Sequence, residues 1–371
     1  MSACSQHYSP QPVIVRTTGI PYLKYGPGDD RLGGAKMTFL DSNILLKVVD
    51  SFKEDYIVQL SKNHTAYIPK TVTKPDTTYQ KGYLTGDWEV YGDSAFDYVT
   101  IALDERIPYS SVQQIDPSRV VVDIYGAHSN TNWIAGLMSA REIKNAWYEQ
   151  VEDDVMRVFI ELNHPTHWGY SLYYNGHKLT LKLKRQPRML DISHLTIAVD
   201  AGHGGDNMGT AGSTTRIKEK EYTLLFAKEL EQELLKRKAR VVMTREKDTS
   251  LTMEERIEML KPQQPDLLVS LHLNSSSDPA VQGVSTYYRY IGFKPLTVVI
   301  LQHMLELGLK EYGNIGSFNF GLSGITDYPT CLVEIAFLSN REDEKKISDP
   351  KFRRQVATKI ADGIEHFLRN L

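Results

Sequence analysis

The chain has 371 residues, 41% of them hydrophobic and 24% charged, with a formal net charge of −3. That length allows two or three domains with sizeable cores, and the charge balance leaves no basic footprint for a nucleic-acid partner. No apolar run is long enough to span a bilayer, and the two cysteines, Cys4 and Cys331, make neither a disulfide framework nor a CxxC pair.

At the N-terminus, Met1-Ser2-Ala3-Cys4 resembles the end of a bacterial lipoprotein signal, in which small residues precede a Cys that is lipidated. It makes Cys4 a candidate lipid anchor, although neither a charged n-region nor an apolar h-region stands before it. The plainer reading is an ordinary cysteine in a loose terminus. Residues 1–35, with Pro10, Pro12, Pro21, Pro27 and Gly28, are expected to be irregular. Strand-like runs follow at 44–49, 56–60 and 66–68, separated by turn clusters such as Ser61-Lys62-Asn63, and their spacing suits a small barrel over 36–75. Its closing Ala66-Tyr67-Ile68-Pro69 resembles the end of a bacterial SH3-like domain.

A second β unit is expected over 76–187, with strands at 98–103, 119–125, 143–149 and 155–162 and a hairpin of 171–174 with 178–183. Asn175-Gly176 between the hairpin strands predicts a type I′ turn. The alternation gives each strand one buried and one wet face, as in a β-sandwich. The run Arg119-Val120-Val121-Val122-Asp123-Ile124 and its echo at 157–162 resemble the AMIN-type sandwiches found ahead of cell-wall amidases.

Around Gln186-Pro187-Arg188 the pattern changes, and 188–194 reads as a linker. From 195 onward strands (196–200, 240–243, 267–271, 284–288, 331–338) alternate with helices (219–238, 252–260, 295–312 and one from 351). The expectation is a multidomain chain. Its N-terminal half is all-β, and residues 195–371 form an α/β domain with a mixed, mostly parallel sheet covered by helices on both faces.

Sites in such sheets form at the carboxyl ends of strands. His203 follows one strand in Asp200-Ala201-Gly202-His203-Gly204-Gly205, and His272 ends another, Leu267-Leu268-Val269-Ser270-Leu271-His272. Glu219 opens a helix, and Glu334 sits in an apolar strand between Val333 and Ile335. A catalytic zinc commonly takes three protein ligands and leaves one position for water. Each residue also has a bland alternative. A lone His after a strand is more often structural, and Glu219 reads equally as a first-turn carboxylate favoured by the helix dipole. The glycine-rich loop lacks the Gly-Lys-Ser/Thr ending of a phosphate loop and the dinucleotide spacing. Glu334 is harder to dismiss, because an unpaired buried carboxylate is costly; a raised pKa would suit a general base. His164-x-x-His167 is expected in an inter-strand loop with no metal role, and Cys331 as a small core residue. Trp168, Tyr170, Tyr173 and Tyr174 could stack on sugars or fill the sandwich core.

Five ordered blocks carry a specific resemblance: Asp200 to Gly205; Glu219-Lys220 with Leu224; Thr244-Arg245 with Asp248, Leu251 and Arg256; Ser270-Leu271-His272-Leu273-Asn274; and Leu332-Val333-Glu334 through Ser339-Asn340. Over about 195–370 the chain is similar to the zinc-dependent N-acetylmuramoyl-L-alanine amidases of the amidase-3 family. The resemblance implies that His203, Glu219 and His272 bind one Zn2+ and that Glu334 is the catalytic carboxylate. It implies cleavage of the amide between the lactyl group of muramic acid and the L-alanine of the stem peptide in peptidoglycan. It also implies a bacterial cell-envelope, periplasmic location and allows for an envelope-protein activator. Two departures, Leu260-Lys261 in place of Ala-Asn and Ser323-Gly324 in place of Leu-Arg, put peptide preference in doubt. Asn274 and Arg245 are candidates for orienting substrate or bracing loops, Arg245 with Asp248 as its partner. Only one clear helix falls between 274 and 329, so the groove is expected to lack an inhibitory helix. Two rival readings are a zinc carboxypeptidase acting within the stem peptide and a non-catalytic wall-binding protein.

Overall fold

The computed structural model describes residues 13–27, 35–78 and 82–371, so Cys4 and the lipoprotein-like run lie outside the described residues. Strands β1 (Val13–Thr17), β2 (Tyr22–Lys24), β3 (Lys36–Phe39), β4 (Leu45–Phe52), β5 (Asp55–Ser61), β6 (His64–Pro69) and β7 (Thr73–Asp76) form one sheet in the order β3-β2-β6-β5-β4-β1-β7. Residues 13–24 therefore correct the expectation of an irregular segment through 35. Ile14 and Val15 are buried and β1 pairs with both β4 and β7. Apolar content too short to show a period hid these strands from the sequence.

The next unit is a sandwich of β8 (Tyr83–Gly92), β9 (Phe96–Leu103), β10 (Tyr109–Ile115), β11 (Ser118–Tyr125), β12 (Ala127–His128), β13 (Ile134–Gly136), β14 (Ile143–Glu152), β15 (Val155–Leu162), β16 (Tyr170–Asn175) and β17 (Lys178–Lys184). One sheet runs β10-β11-β15-β14 and the other β12-β8-β9-β17-β16, with β13 on β8. Val120, Val122 and Ile124 join the core from β11, and Val158 and Ile160 from β15, as the period of two requires. This core is continuous with that of the first sheet, through residues such as Leu46, Leu60, Tyr83 and Ile107. The hairpin forms, but its turn is one residue out from the expected one. Asn175 pairs with Lys178, so Gly176-His177 is the two-residue loop. Gly176 alone takes a positive φ, 61°, which is the first-position glycine of a II′ turn rather than a I′ turn.

The last unit contains β18 (Thr196–Ala201), α1 (Glu219–Lys236), β19 (Arg240–Met243), α2 (Met253–Leu260), β20 (Leu267–Asn274), β21 (Val284–Tyr287), α3 (Lys294–Leu305), β22 (Glu311–Ile315), β23 (Thr330–Phe337), α4 (Arg341–Ser348) and α5 (Pro350–Arg369). The sheet order is β19-β18-β20-β23-β21-β22, and β21–β23 is its antiparallel pair. Helices α1, α3 and α5 build the larger core with Phe226, Leu230, Leu234, Ile300, Met304, Val356, Ile360 and Ile364. The opposite face is covered more thinly, by Leu260 of α2 with Leu322 and Tyr328 over Ala198 and Leu268. α3 stops at Leu305, short of the expected 312, because Gly308 turns left-handed (φ 70°) and the chain re-enters the sheet as β22. Helix α4 was not expected; its Asn340 cap, which accepts from Glu342 and Asp343 N–H groups, was its sequence signal.

The sandwich and the α/β unit interlock. Trp168 leaves the sandwich loop and is buried in the α/β core, 6.0 Å from the Phe367 ring. Tyr170 N donates to Thr326 O at 2.7 Å, and Thr326 Oγ1 donates back to Tyr170 O at 2.6 Å. Lys184 pairs with Asp266 at 2.7 Å. Trp168, Tyr170 and Tyr174 are thus core residues, not sugar platforms, and Tyr173 is half-buried. Among the described residues no helix is long and apolar enough to cross a membrane.

Candidate metal centre

Parallel pairing brings the carboxyl ends of β18, β20 and β23 to one edge. Ala201 lies opposite Leu271, and His272 opposite Glu334. The loop after β18 then turns sharply: His203 itself takes φ 61°, a left-handed conformation uncommon outside glycine. Gly202 makes the approach possible, since a Cβ there would sit 2.3 Å from His272 Cε1.

His203 Nε2 lies 3.0 Å from Glu219 Oε1, and His272 Nδ1 lies 3.2 Å from the same oxygen. One ligand atom from each of the three residues falls within 4.8 Å of the others. Glu219 and His272 are buried, whereas the His203 side chain keeps 20% exposure, so the cluster opens on its side. Glu219 Oε2 also accepts from Thr210 N at 2.8 Å, and Oε1 from Leu273 N at 3.0 Å. Burial alone would raise this carboxyl, but the hydrogen bonds to His203 and His272 hold it well below the usual carboxylate range. His203 shows the converse: burial lowers its imidazole, and Glu219 more than reverses that. His203 Nδ1 meets Asn207 Oδ1 at 2.9 Å, a contact that fixes which ring nitrogen faces the cluster. His272 Nε2 is buried with no partner. Two imidazoles, one carboxylate and an orphaned ring nitrogen are a donor set that fits a divalent metal of the zinc type.

Glu334 as a residue is half-buried, but its Oε2 is out of reach of solvent and unpartnered. Burial, with the Glu219 charge second, pushes its carboxyl well above the ordinary range. On its other side Ser285 is its register partner. Ser285 Oγ and Asn274 Nδ2 both reach the Tyr287 hydroxyl, at 3.2 and 3.4 Å. Burial, then the Glu334 charge, pushes that phenol up to about 12. Tyr287 and Ser285 are neighbours of Glu334 that sequence reasoning missed; they lie in the short strand Val284-Ser285-Thr286-Tyr287, which carries no motif. Asn274 reaches this side of Glu334 through the Tyr287 hydroxyl.

Arg245 does not face a groove. It is buried, and its donors are directed at the carbonyls of Ala201 (2.9 Å), Gly202 (3.0 Å) and Lys220 (2.7 Å). Of the two roles left open by the sequence, these contacts are those of a brace on the His203 loop, the structural role the sequence favoured. The expected partner is corrected: Asp248 receives Lys220 Nζ at 2.6 Å and Gly205 N at 2.7 Å. Asp200 and Arg256 complete the brace. Asp200 accepts from Thr244 Oγ1 (2.7 Å), Ser270 Oγ (2.6 Å) and Arg256, which donates onward to His203 O at 2.6 Å. His164 and His167 do lie in an inter-strand loop, bound separately to Glu142 (2.8 Å) and Gln114 O (2.8 Å). Cys331 is buried and free, its thiol pushed up by burial.

An α/β domain that gathers two imidazoles and a carboxylate at its strand ends, with a second carboxylate alongside, has the outline of a metal-dependent hydrolase. Residues 197–366 match the amidase-3 family model, described as N-acetylmuramoyl-L-alanine amidase, and the C-terminal part of the chain belongs to that family. The chain is 30% identical over 190 residues to the protein named "Probable cell wall amidase LytH" of Staphylococcus saprophyticus, covering 51% of this chain and 64% of that one. The chain thus spans less than two thirds of that curated relative. Among solved structures it is similar to the catalytic domain of CwlV, an N-acetylmuramoyl-L-alanine amidase from Bacillus (Paenibacillus) polymyxa var. colistinus, at 33% identity and a TM-score of 0.45, covering 47% of this chain and 98% of that one. It is also similar to the N-acetylmuramoyl-L-alanine amidase from Clostridium difficile 630, at 30% identity and a TM-score of 0.46, covering 47% and 97%.

One consequence of the packing is directly measurable. Gly202→Ala forces the His272 ring to move, because the added carbon lies within 2.6 Å of both ring nitrogens. We expect metal affinity to fall by about 10–100-fold, as for lost ligand support, with the melting temperature of the metal-free protein changing less. Competition with a chromogenic chelator checks this; unaltered affinity would show that the ring has room.

Proposed function

We propose that this chain is a zinc-dependent peptidoglycan hydrolase that cleaves the amide between N-acetylmuramic acid and the L-alanine of the stem peptide. The observation that carries the reading is the juxtaposition of the His203–Glu219–His272 cluster with Glu334, whose Oε2 is buried and unpartnered. When bound there, Zn2+ supplies a Lewis acid and lowers the pKa of water to about 7. The protein's own residues do the rest. His203, Glu219 and His272 fix the ion's place, with the exposed His203 side open to substrate. Glu334 accepts the proton of the attacking water and delivers it to the departing alanine amine. Tyr287 and Asn274 border the scissile bond and orient the peptide.

The N-terminal sheet and the sandwich, which resemble SH3-like and AMIN-type modules, position the enzyme on the wall in this reading. The setting is the cell envelope on its periplasmic side, with Cys4 as a lipid anchor and an envelope protein as activator. The test is product analysis on intact peptidoglycan, with and without chelator. The amidase releases stem peptides with a free L-alanine amine and leaves glycan without peptide, and chelation stops it. Release of single terminal amino acids would mean a carboxypeptidase instead. No release, together with no metal on elemental analysis, would mean a wall-binding protein.

A further inference from the structure

The wall beside the metal cluster is aromatic. The Phe320 ring stands 5.1 Å from the His272 ring, edge to face. Phe318 stacks 6.1 Å from Phe320 and 4.5 Å from Tyr287. Both phenylalanines lie on the connection between β22 and β23, whose regular structure is one short 3-10 turn, Gly321–Gly324. Rings carried on a loop need support from a stiffer element to hold one geometry.

That support comes from the N-terminal sheet. Arg289, just past β21, donates through Nη1 to Asn319 Oδ1 at 2.8 Å, between the two phenylalanines. Its Nη2 donates to the carbonyls of Lys36 and Met37, the latter at 3.1 Å. Those carbonyls belong to β3, an end strand of the seven-stranded sheet. Gly324 lets the parts close: a Cβ there would sit 2.6 Å from Phe39 Cε2 and 3.1 Å from Arg289 Nη1. The planar guanidinium addresses the strand and the loop from two separate nitrogens held in one fork, whereas an ammonium presents its donors from a single atom on a flexible stem.

We propose that Arg289 is a positioning residue through which the N-terminal sheet sets the Phe318–Phe320 wall, and that this wall determines how the first residues of the stem peptide are held. The sheet is then part of the substrate groove's construction and not only a tether. The substrate rests on the amidase reading above; the positioning does not.

The experiment compares the full chain with Arg289→Lys and Arg289→Met, by hydrogen exchange and by steady-state kinetics on a soluble muropeptide. In both variants exchange across 316–324 rises by about tenfold, as expected where a local brace is lost. KM rises about tenfold while kcat stays within about threefold, the pattern of lost ground-state binding. Bound zinc is unchanged. Asn319→Ala, which removes the loop end of the bridge and leaves the strand end, gives the same exchange signature if an Arg289 variant folds poorly. Unchanged protection of 316–324, or a loss confined to kcat, overturns the proposal. If the wild-type protein cleaves no muropeptide, the amidase reading fails, and the exchange data alone decide the positioning.

Discussion

Glu334→Gln is expected to lower turnover on peptidoglycan by about 10²–10⁴-fold, the usual worth of a positioned general acid–base group, while bound metal and fold are retained. The glutamine keeps the volume of a side chain whose buried oxygen has no partner, so little packing is lost. What disappears is the ability to hold a proton between two steps. The pH dependence gives a second readout. Burial and the Glu219 charge raise this carboxyl, and a bound cation opposes them. The base works only when ionised, so wild-type kcat/KM falls as pH drops through its pKa, and the residual rate of the glutamine variant lacks that acid limb. Kinetics over pH, with metal content measured on the same samples, check both points. A variant within fivefold of wild type at full metal occupancy would remove Glu334 from the mechanism.

The clustering of His203, Glu219 and His272 with Glu334 alongside was legible because chemistry limits the choices. Two histidines after apolar strands, a helix-opening glutamate and a carboxylate in an apolar strand are few in one sequence, and parallel pairing brings their strand ends together. What escaped is what depends on long-range register. Ser285 and Tyr287 come to Glu334 only because β21 runs antiparallel to β23, and no local signal encodes that. The same holds for β22. Its first two residues, Glu311 and Tyr312, read from the sequence as the end of the preceding helix, and pairing with β21 overrides that reading once Gly308 ends the helix. For Arg245 the sequence leaves substrate contact and loop bracing both open and favours the structural role, but it names Asp248 as partner where the structure has backbone carbonyls. Here the end of β18, the loop after it and the start of α1 bury three carbonyls together (Ala201, Gly202, Lys220), and a buried guanidinium satisfies them.

The Asp200–Arg256 pair extends that logic to stability. Arg256→Met leaves the buried Asp200 carboxylate with Thr244 and Ser270 alone. Breaking a buried pair from one side typically costs about 3–5 kcal/mol, or roughly 6–20 °C of melting temperature for a domain of this size. It also releases His203 O, so metal should bind less tightly. The sign of the pH dependence separates charge from shape. Burial would raise the Asp200 carboxyl, but the Arg256 charge and the hydroxyl bonds bring it below its ordinary value. A depressed carboxylate contributes stability that is present above the unfolded pKa of about 3.9 and is lost as pH falls through the folded value. The deficit of Arg256→Met relative to wild type should therefore be largest near neutral pH and shrink in acid, where Asp200 is neutral in both proteins. Urea unfolding at a series of pH values measures it. A deficit that stays constant down to pH values at which Asp200 is protonated would mean that Arg256 acts through its packing, and the brace on the His203 loop would then be steric rather than ionic.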